Sequence, residues 1–291
     1  MRPIQLLVAI QLATVAGATG AQGKPVLVKD SWLEPRLADR SVVVVHVAQG
    51  RPEYDAGHLP GARFLPLPSL SIQADGLTAQ LAPVAQVDSV LESIGVSDGQ
   101  HVVLYGQPLT VARAFVTLER VGLRGQVSVL DGGLDQWREA GHPVSLDSVA
   151  TARGSFTPRI EDNVVDAAWI SANGSKAGTK VLDARVPEFF LGLSPGSTAR
   201  PGHIPGASNV PYTSLTGELT TMRDQGKVRR LFAQAGVSQG DTVVTYCHIG
   251  MQASLLYLAA RSLGIAARIY DGSWEDWAKR GELPAAFGVK K

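Results

Sequence analysis

The chain has 291 residues, enough for two domains that each bury a core of their own. Apolar residues make up 45% and charged residues 18%, with a formal net charge of +1, which removes the electrostatic argument for a nucleic acid or an anionic membrane as partner. A single cysteine, Cys247, excludes an intramolecular disulfide framework and any cysteine-rich zinc site.

At the N-terminus, Met1-Arg2 is a short positive region, Ile4 to Val15 is mostly apolar, and small residues follow. Ala16-Gly17-Ala18 and Thr19-Gly20-Ala21 both fit the small-x-small cleavage rule. Residues 1–21 therefore read as a signal peptide, and the protein as exported, periplasmic or secreted. The alternatives are an uncleaved anchor or a frayed first helix, but the apolar run falls short of the roughly 20 residues of a span. No later run is long and apolar enough to cross a membrane.

A first domain is expected over 24–145. Its strands are Ser41 to Val47, His101 to Tyr105 and Val127 to Leu130, all apolar runs of strand length. The spacing predicts a helix over Val111 to Val121, with Gly122 where a C-terminal cap belongs. Residues 146–163 lack a period, carry Gly154 and Pro158, and read as a linker. The second domain, 164–291, repeats the rhythm: strands Lys180 to Asp183, Thr242 to Tyr246 and Ala267 to Tyr270, and a helix over Met251 to Leu263 ended by Gly264. Near-continuous apolar strands alternating with helices predict, in each half, an α/β fold: an open, mainly parallel sheet with helices on both faces.

The two halves are copies. Gly57-His58-Leu59-Pro60-Gly61-Ala62 returns as Gly202-His203-Ile204-Pro205-Gly206-Ala207, Val102-Val103-Leu104-Tyr105 as Val243-Val244-Thr245-Tyr246, and Asp131-Gly132-Gly133-Leu134-Asp135-Gln136-Trp137 as Asp271-Gly272-Ser273-Trp274-Glu275-Asp276-Trp277. The order is kept and the offset stays near 141. Only the second copy carries the extra loop Leu191 to Arg200, a candidate wall for a site. Gly106 stands at the place of Cys247, Ala48 at that of Asp183 and Gly50 at that of Arg185. One copy holds thiol, acid and base together; the other has none of them.

Cys247 follows an apolar strand and precedes a helix, where open α/β sheets bind ligands. In Cys247-His248-Ile249-Gly250-Met251-Gln252 the backbone can curl so that N–H groups face the sulfur, and Gly250 permits the tight turn. Those donors and the helix dipole favour a thiolate, so a lowered pKa and a nucleophilic cysteine are expected.

These residues resemble the tandem-domain rhodaneses, the thiosulfate and 3-mercaptopyruvate sulfurtransferases. The likeness rests on the paired Gly-His-Leu/Ile-Pro-Gly-Ala motifs, Leu182-Asp183-Ala184-Arg185, Asp271-Gly272-Ser273-Trp274 with Trp277, and the cysteine loop. It implies two rhodanese-like domains, the first inactive and the second catalytic. The cysteine would take a sulfane sulfur as a persulfide and pass it to cyanide or a thiol, without cofactor or metal. The six residues from Cys247 match the family's cradle, which implies that His248, Ile249, Gly250, Met251 and Gln252 bind the donor.

The loop departs from the family in one respect. Thiosulfate users often carry basic residues after the cysteine and mercaptopyruvate users small ones; His248 and Ile249 fit neither. A protonated His248 could hold an anion or face solvent. Arg185 could contact the donor or form a buried pair with Asp183, whose place is structural. A cysteine phosphatase would need a longer cradle closed by arginine, and Ala253 stands there instead. A non-catalytic sulfur carrier remains open. His58 and His203 read as packed turn residues, Trp137 and Trp277 as packing at the sheet ends, and Arg113 and Arg261 as solvated helix positions.

Overall fold

A computed structural model describes residues 24–198, 200–217, 221–222 and 224–288; the expected signal peptide lies outside them. The first half contains β1 (Leu27–Val28), α1 (Asp30–Leu33), β2 (Val42–Ala48), α2 (Arg51–Asp55), β3 (Arg63–Pro66), β4 (Ser71–Ala74), β5 (Leu77–Leu81), α3 (Val84–Ser93), β6 (His101–Gly106), α4 (Pro108–Leu118), β7 (Val127–Leu130) and α5 (Gly133–Glu139). The second contains β8 (Val164–Val165), α6 (Ala167–Asn173), β9 (Thr179–Asp183), α7 (Pro187–Phe190), β10 (Ser208–Asn209), α8 (Gln225–Gln234), β11 (Thr242–Tyr246), α9 (Met251–Ser262), β12 (Ala266–Tyr270) and α10 (Ser273–Lys279).

Each half builds a five-stranded sheet, ordered β1-β7-β6-β2-β3 in one and β10-β9-β11-β12-β8 in the other. Read in opposite directions the orders coincide, and every neighbouring pair in both sheets is parallel. Central strands covered on both faces have no polar side to present, which is why β2, β6 and β11 are almost wholly buried and carry no Asp, Glu, Lys or Arg.

The principal helices α4 and α9 lie between the sheets and pack on each other. Val111, Ala112, Ala114, Phe115, Val116 and Leu118 of α4 are all buried, because this helix touches its own sheet on one side and α9 on the other. The resulting core is continuous across the two halves and reaches Cys247. Gly264 (φ +75°) ends α9 as expected: the Ile265 N–H reaches the Ala260 carbonyl at 3.0 Å and the Gly264 N–H reaches that of Arg261 at 3.0 Å. The α4 end differs. It continues as a π-turn over Glu119–Leu123, within which Gly122 (φ +109°) packs against Arg159.

Residues 146–163 have no regular structure but lie against the first half. The Gly154 N–H reaches Glu92 O at 2.8 Å, and the Arg159 N–H reaches Val121 O at 2.8 Å. The β4–β5 hairpin of the first half leans onto the α10 end of the second, where Thr78 donates its N–H and its hydroxyl to the Glu275 carboxylate, each at 2.8 Å.

Two solvated positions were expected and are not found. Arg113 has a fully buried side chain, because α4 is enclosed between the halves, and it pairs with Asp271 at 2.6 Å. Arg261 pairs with the buried Glu119 of the π-turn at 3.0 Å, beside Tyr257, whose hydroxyl donates to the same carboxylate at 2.6 Å. Helical periodicity places such residues on a face; it does not reveal that a second domain covers that face.

Candidate active site

Strand β11 runs between β9 and β12 and ends at Tyr246, so Cys247 stands at the carboxyl edge of the second sheet. The chain then turns through His248, Ile249 and Gly250 into α9. Gly250 has φ +87°, a conformation that costs an L side chain about 1–2 kcal/mol. The turn directs the backbone N–H groups of Ile249, Gly250, Gln252 and Ala253 at the Cys247 sulfur. Ala253 was not among the expected cradle residues. The signal for it was available, since the first turn of any helix carries free N–H groups.

The turn before α10 fixes the outer side of this loop. The Cys247 N–H donates to Ser273 Oγ at 3.1 Å, the Trp274 N–H to Cys247 O at 2.9 Å, and the Glu275 N–H to His248 O at 3.0 Å. This assigns work to the Asp271-Gly272-Ser273-Trp274 motif that its sequence alone does not disclose. Ser273 holds φ +53°, and its hydroxyl donates to Tyr270 O at 2.9 Å.

Cys247 is fully buried, and burial pushes its thiol above the ordinary value of 9.0, with the four N–H groups pulling the other way. The expected lowering is thus corrected in sign. The donors are in place, but a sulfur shut away from water pays more in lost hydration than they return. The four N–H groups would favour negative charge on the sulfur, and burial opposes it.

Asp183 ends β9 in register with Tyr246. It accepts from three donors of Arg185: the backbone N–H at 2.9 Å, Nε at 3.0 and 3.1 Å to its two oxygens, and Nη2 at 2.6 Å. Nη2 also donates to Gly202 O of the second Gly-His motif at 2.8 Å. The guanidinium lies 4.9 Å from the Trp274 ring centroid and 5.7 Å from that of Tyr246. Burial disfavours its charge, Asp183 more than offsets this, and its pKa is raised overall. Arg185 is therefore a buried, locked cation close enough to Cys247 to feel its charge.

His248 is not a cation at neutral pH. Burial and then Arg185 push its pKa down to about 4, so it can bring a neutral ring and no positive charge to an anion. Its ring stands edge-on to Phe189 at 4.6 Å. The extra loop reaches it too: a Cβ on Gly196 would come within 3.1 Å of His248 Cε1, so this loop does wall the turn beside the cysteine. Met251 turns its side chain into the core between the halves, while its backbone opens α9.

The Gly-His motifs play matched packing roles. His58 stacks on Tyr54 at 3.9 Å and His203 on Phe190 at 3.8 Å. The next residue's N–H donates to a strand tyrosine in each half, Leu59 to Tyr105 at 3.0 Å and Ile204 to Tyr246 at 3.1 Å. Trp137 and Trp277 likewise donate to Pro143 O and Pro284 O, both at 2.8 Å. Among the described residues no group of three or more His, Cys, Asp or Glu side chains could hold a metal. A groove of about 850 Å³ runs along β10 and Phe287, and Cys247 is not among its lining residues.

Comparison with known proteins agrees with this geometry. The family model described as the rhodanese-like domain matches twice, over residues 30–140 and 166–280. A protein of Mycolicibacterium smegmatis named "Putative thiosulfate sulfurtransferase" is 30% identical over 277 residues, covering 90% of this chain and 98% of that protein. The 3-mercaptopyruvate sulfurtransferase of Escherichia coli is 28% identical over 270 residues, covering 87% and 95%. Among solved structures, the anaerobic ergothioneine biosynthesis enzyme of Chlorobium limicola shares the fold, with a TM-score of 0.81 at 21% identity over 91% of this chain and 71% of that one. A repeated parallel sheet, a cysteine cradle in one copy and these matches together make the chain a member of the sulfurtransferase family with two rhodanese-like domains in tandem.

Proposed function

We propose that the protein moves a sulfane sulfur from thiosulfate to cyanide or a thiol through a persulfide on Cys247. The observation that carries this reading is the set of four N–H groups aimed at the chain's one cysteine sulfur. In the first step the Cys247 thiolate attacks the outer sulfur of thiosulfate; the S–S bond to the sulfonate breaks, and sulfite leaves with the electron pair. In the second, cyanide attacks the terminal persulfide sulfur, thiocyanate departs, and the thiolate is restored. No cofactor takes part. The half with Gly106 at the cysteine position is inactive, and residues 1–21 direct export.

Donor contact is assigned to the loop His248, Ile249, Gly250, Met251 and Gln252, with Arg185 contributing charge from behind the cysteine. Incubation with thiosulfate should add one sulfur atom to the intact protein, removable by cyanide and absent in Cys247→Ser. A wild-type protein that takes up no sulfur would refute the reading. Labelling without turnover would make the protein a carrier.

A second donor is favoured by one observation. His248 is neutral and Arg185 is committed to Asp183, so the loop presents no free cation to a divalent anion. That suits 3-mercaptopyruvate, whose charge is single. Turnover of the two donors side by side separates them; a higher kcat/KM with mercaptopyruvate would reverse the assignment of thiosulfate.

A further inference from the structure

We propose that Arg113, which belongs to the half without the cysteine, is a positioning residue for the Cys247 cradle. The inference rests on sulfur transfer at Cys247 and adds a requirement that the first domain supplies.

Arg113 projects from α4 across the interface with a fully buried side chain. Its Nη1 donates to Asp271 Oδ1 at 2.6 Å and its Nη2 to the Ala79 carbonyl. The other Asp271 oxygen accepts the Leu81 N–H at 2.7 Å, so the carboxylate is held entirely by the first half. Asp271 begins the turn whose next residues bond the backbone of Cys247 and His248. The pair also presses on the cradle directly: a Cβ on Gly250 would stand 2.9 Å from Asp271 Oδ1 and 3.0 Å from Arg113 Nη1. Gly250 is one of the residues whose N–H faces the sulfur.

The repeat shows that this contact is not part of the common framework. Asp131, the counterpart of Asp271, accepts the Met222 N–H at 2.7 Å, just as Asp271 accepts Leu81. The counterpart of Arg113, however, is Ser254, whose hydroxyl turns back to Gly250 O of its own helix at 2.8 Å. A charged fork has thus been added on one side of a symmetric arrangement, the side that faces the cysteine. Packing does not require it. Arg113 Nε is buried with no partner among the described residues, a costly arrangement where an apolar side chain would fill the space.

The test is Arg113→Met, which keeps most of the volume and removes the fork, beside Arg113→Lys and the interface control Tyr257→Phe. The control breaks the bond to Glu119 far from the cradle. In Arg113→Met the rate of persulfide formation should fall about tenfold or more, through kcat with donor KM within about threefold. Lys should recover part of the loss, because it restores the charge to Asp271 but not the second arm. Alkylation of Cys247 by iodoacetamide should shift to higher pH in Arg113→Met and not in Tyr257→Phe. If Arg113→Met does not fold, Asp271→Asn is measured in the same way. A folded variant of either kind with wild-type turnover and an unshifted alkylation profile overturns the proposal. Failure of sulfur transfer itself would be seen separately, as a wild-type protein without a persulfide, while the alkylation profile can still be read.

Discussion

Two glycines in the second half offer a controlled measurement of the cradle. Gly250 and Gly264 have nearly the same backbone conformation, φ +87° and +75°, but a Cβ at Gly264 would meet nothing within 4 Å, whereas at Gly250 it would meet Asp271 and Arg113 at 2.9–3.0 Å. Gly264→Ala should therefore cost only the left-handed strain, about 1–2 kcal/mol. Gly250→Ala bears the same strain plus an overpacking term of about 1–3 kcal/mol, since its neighbours are a buried ion pair and a carbonyl that cannot swing aside. At about 2–4 °C per kcal/mol for a chain of this size, the midpoints should fall by about 2–8 °C and about 4–20 °C, with Gly250→Ala always the lower. Thermal unfolding and intact-mass kinetics of persulfide formation, run on both variants, supply the comparison. Gly264→Ala should form the persulfide at the wild-type rate, and Gly250→Ala at least about tenfold more slowly, because a displaced N–H no longer meets the sulfur. Equal stability and equal rates in the two variants would refute the cradle as described.

The raised Cys247 thiol sets a pH dependence: below a pKa that lies above 9.0, the thiolate fraction climbs about tenfold per pH unit, so persulfide formation should quicken steadily from pH 6.5 to 9. A rate flat over that range would mean that the cradle wins over burial. A second dependence concerns stability. His46 and His101 are buried, and burial pushes each down to about 4, so the unfolded chain binds protons between pH 6.5 and 4 that the folded chain refuses. Stability is therefore full above about pH 6.5 and lost as pH falls toward 4; a urea midpoint constant across that window would contradict it.

Sequence patterning disclosed how each half folds on its own. Strands β2, β6 and β11 announce themselves because burial on both faces leaves no polar alternation, and the cradle follows from Cys247 standing between an apolar run and a helix. What escaped depends on groups brought together from far along the chain. Arg113 and Asp271 are 158 positions apart, and nothing in α4 distinguishes an arginine facing water from one facing a second domain. The sign of the Cys247 shift escaped for a related reason. Donor count can be read from a turn, but desolvation depends on everything packed over it.

The interface also brings the half without a cysteine into contact with the turn that holds the one in the other half. Leu81 and Met222, one from each half, donate to Asp271 and Asp131 at the same distance, so each half closes a turn of the other. That exchange commits both halves to one folded unit, with α4 and α9 sharing a core that neither could cover alone. Once the first domain is bound in this way, a single side chain on its central helix suffices to bear on the other's chemistry. Arg113 takes that place, reaching from α4 to the turn that holds Cys247. A duplicated domain that has no thiol can in this way still determine how well its partner's thiol is held.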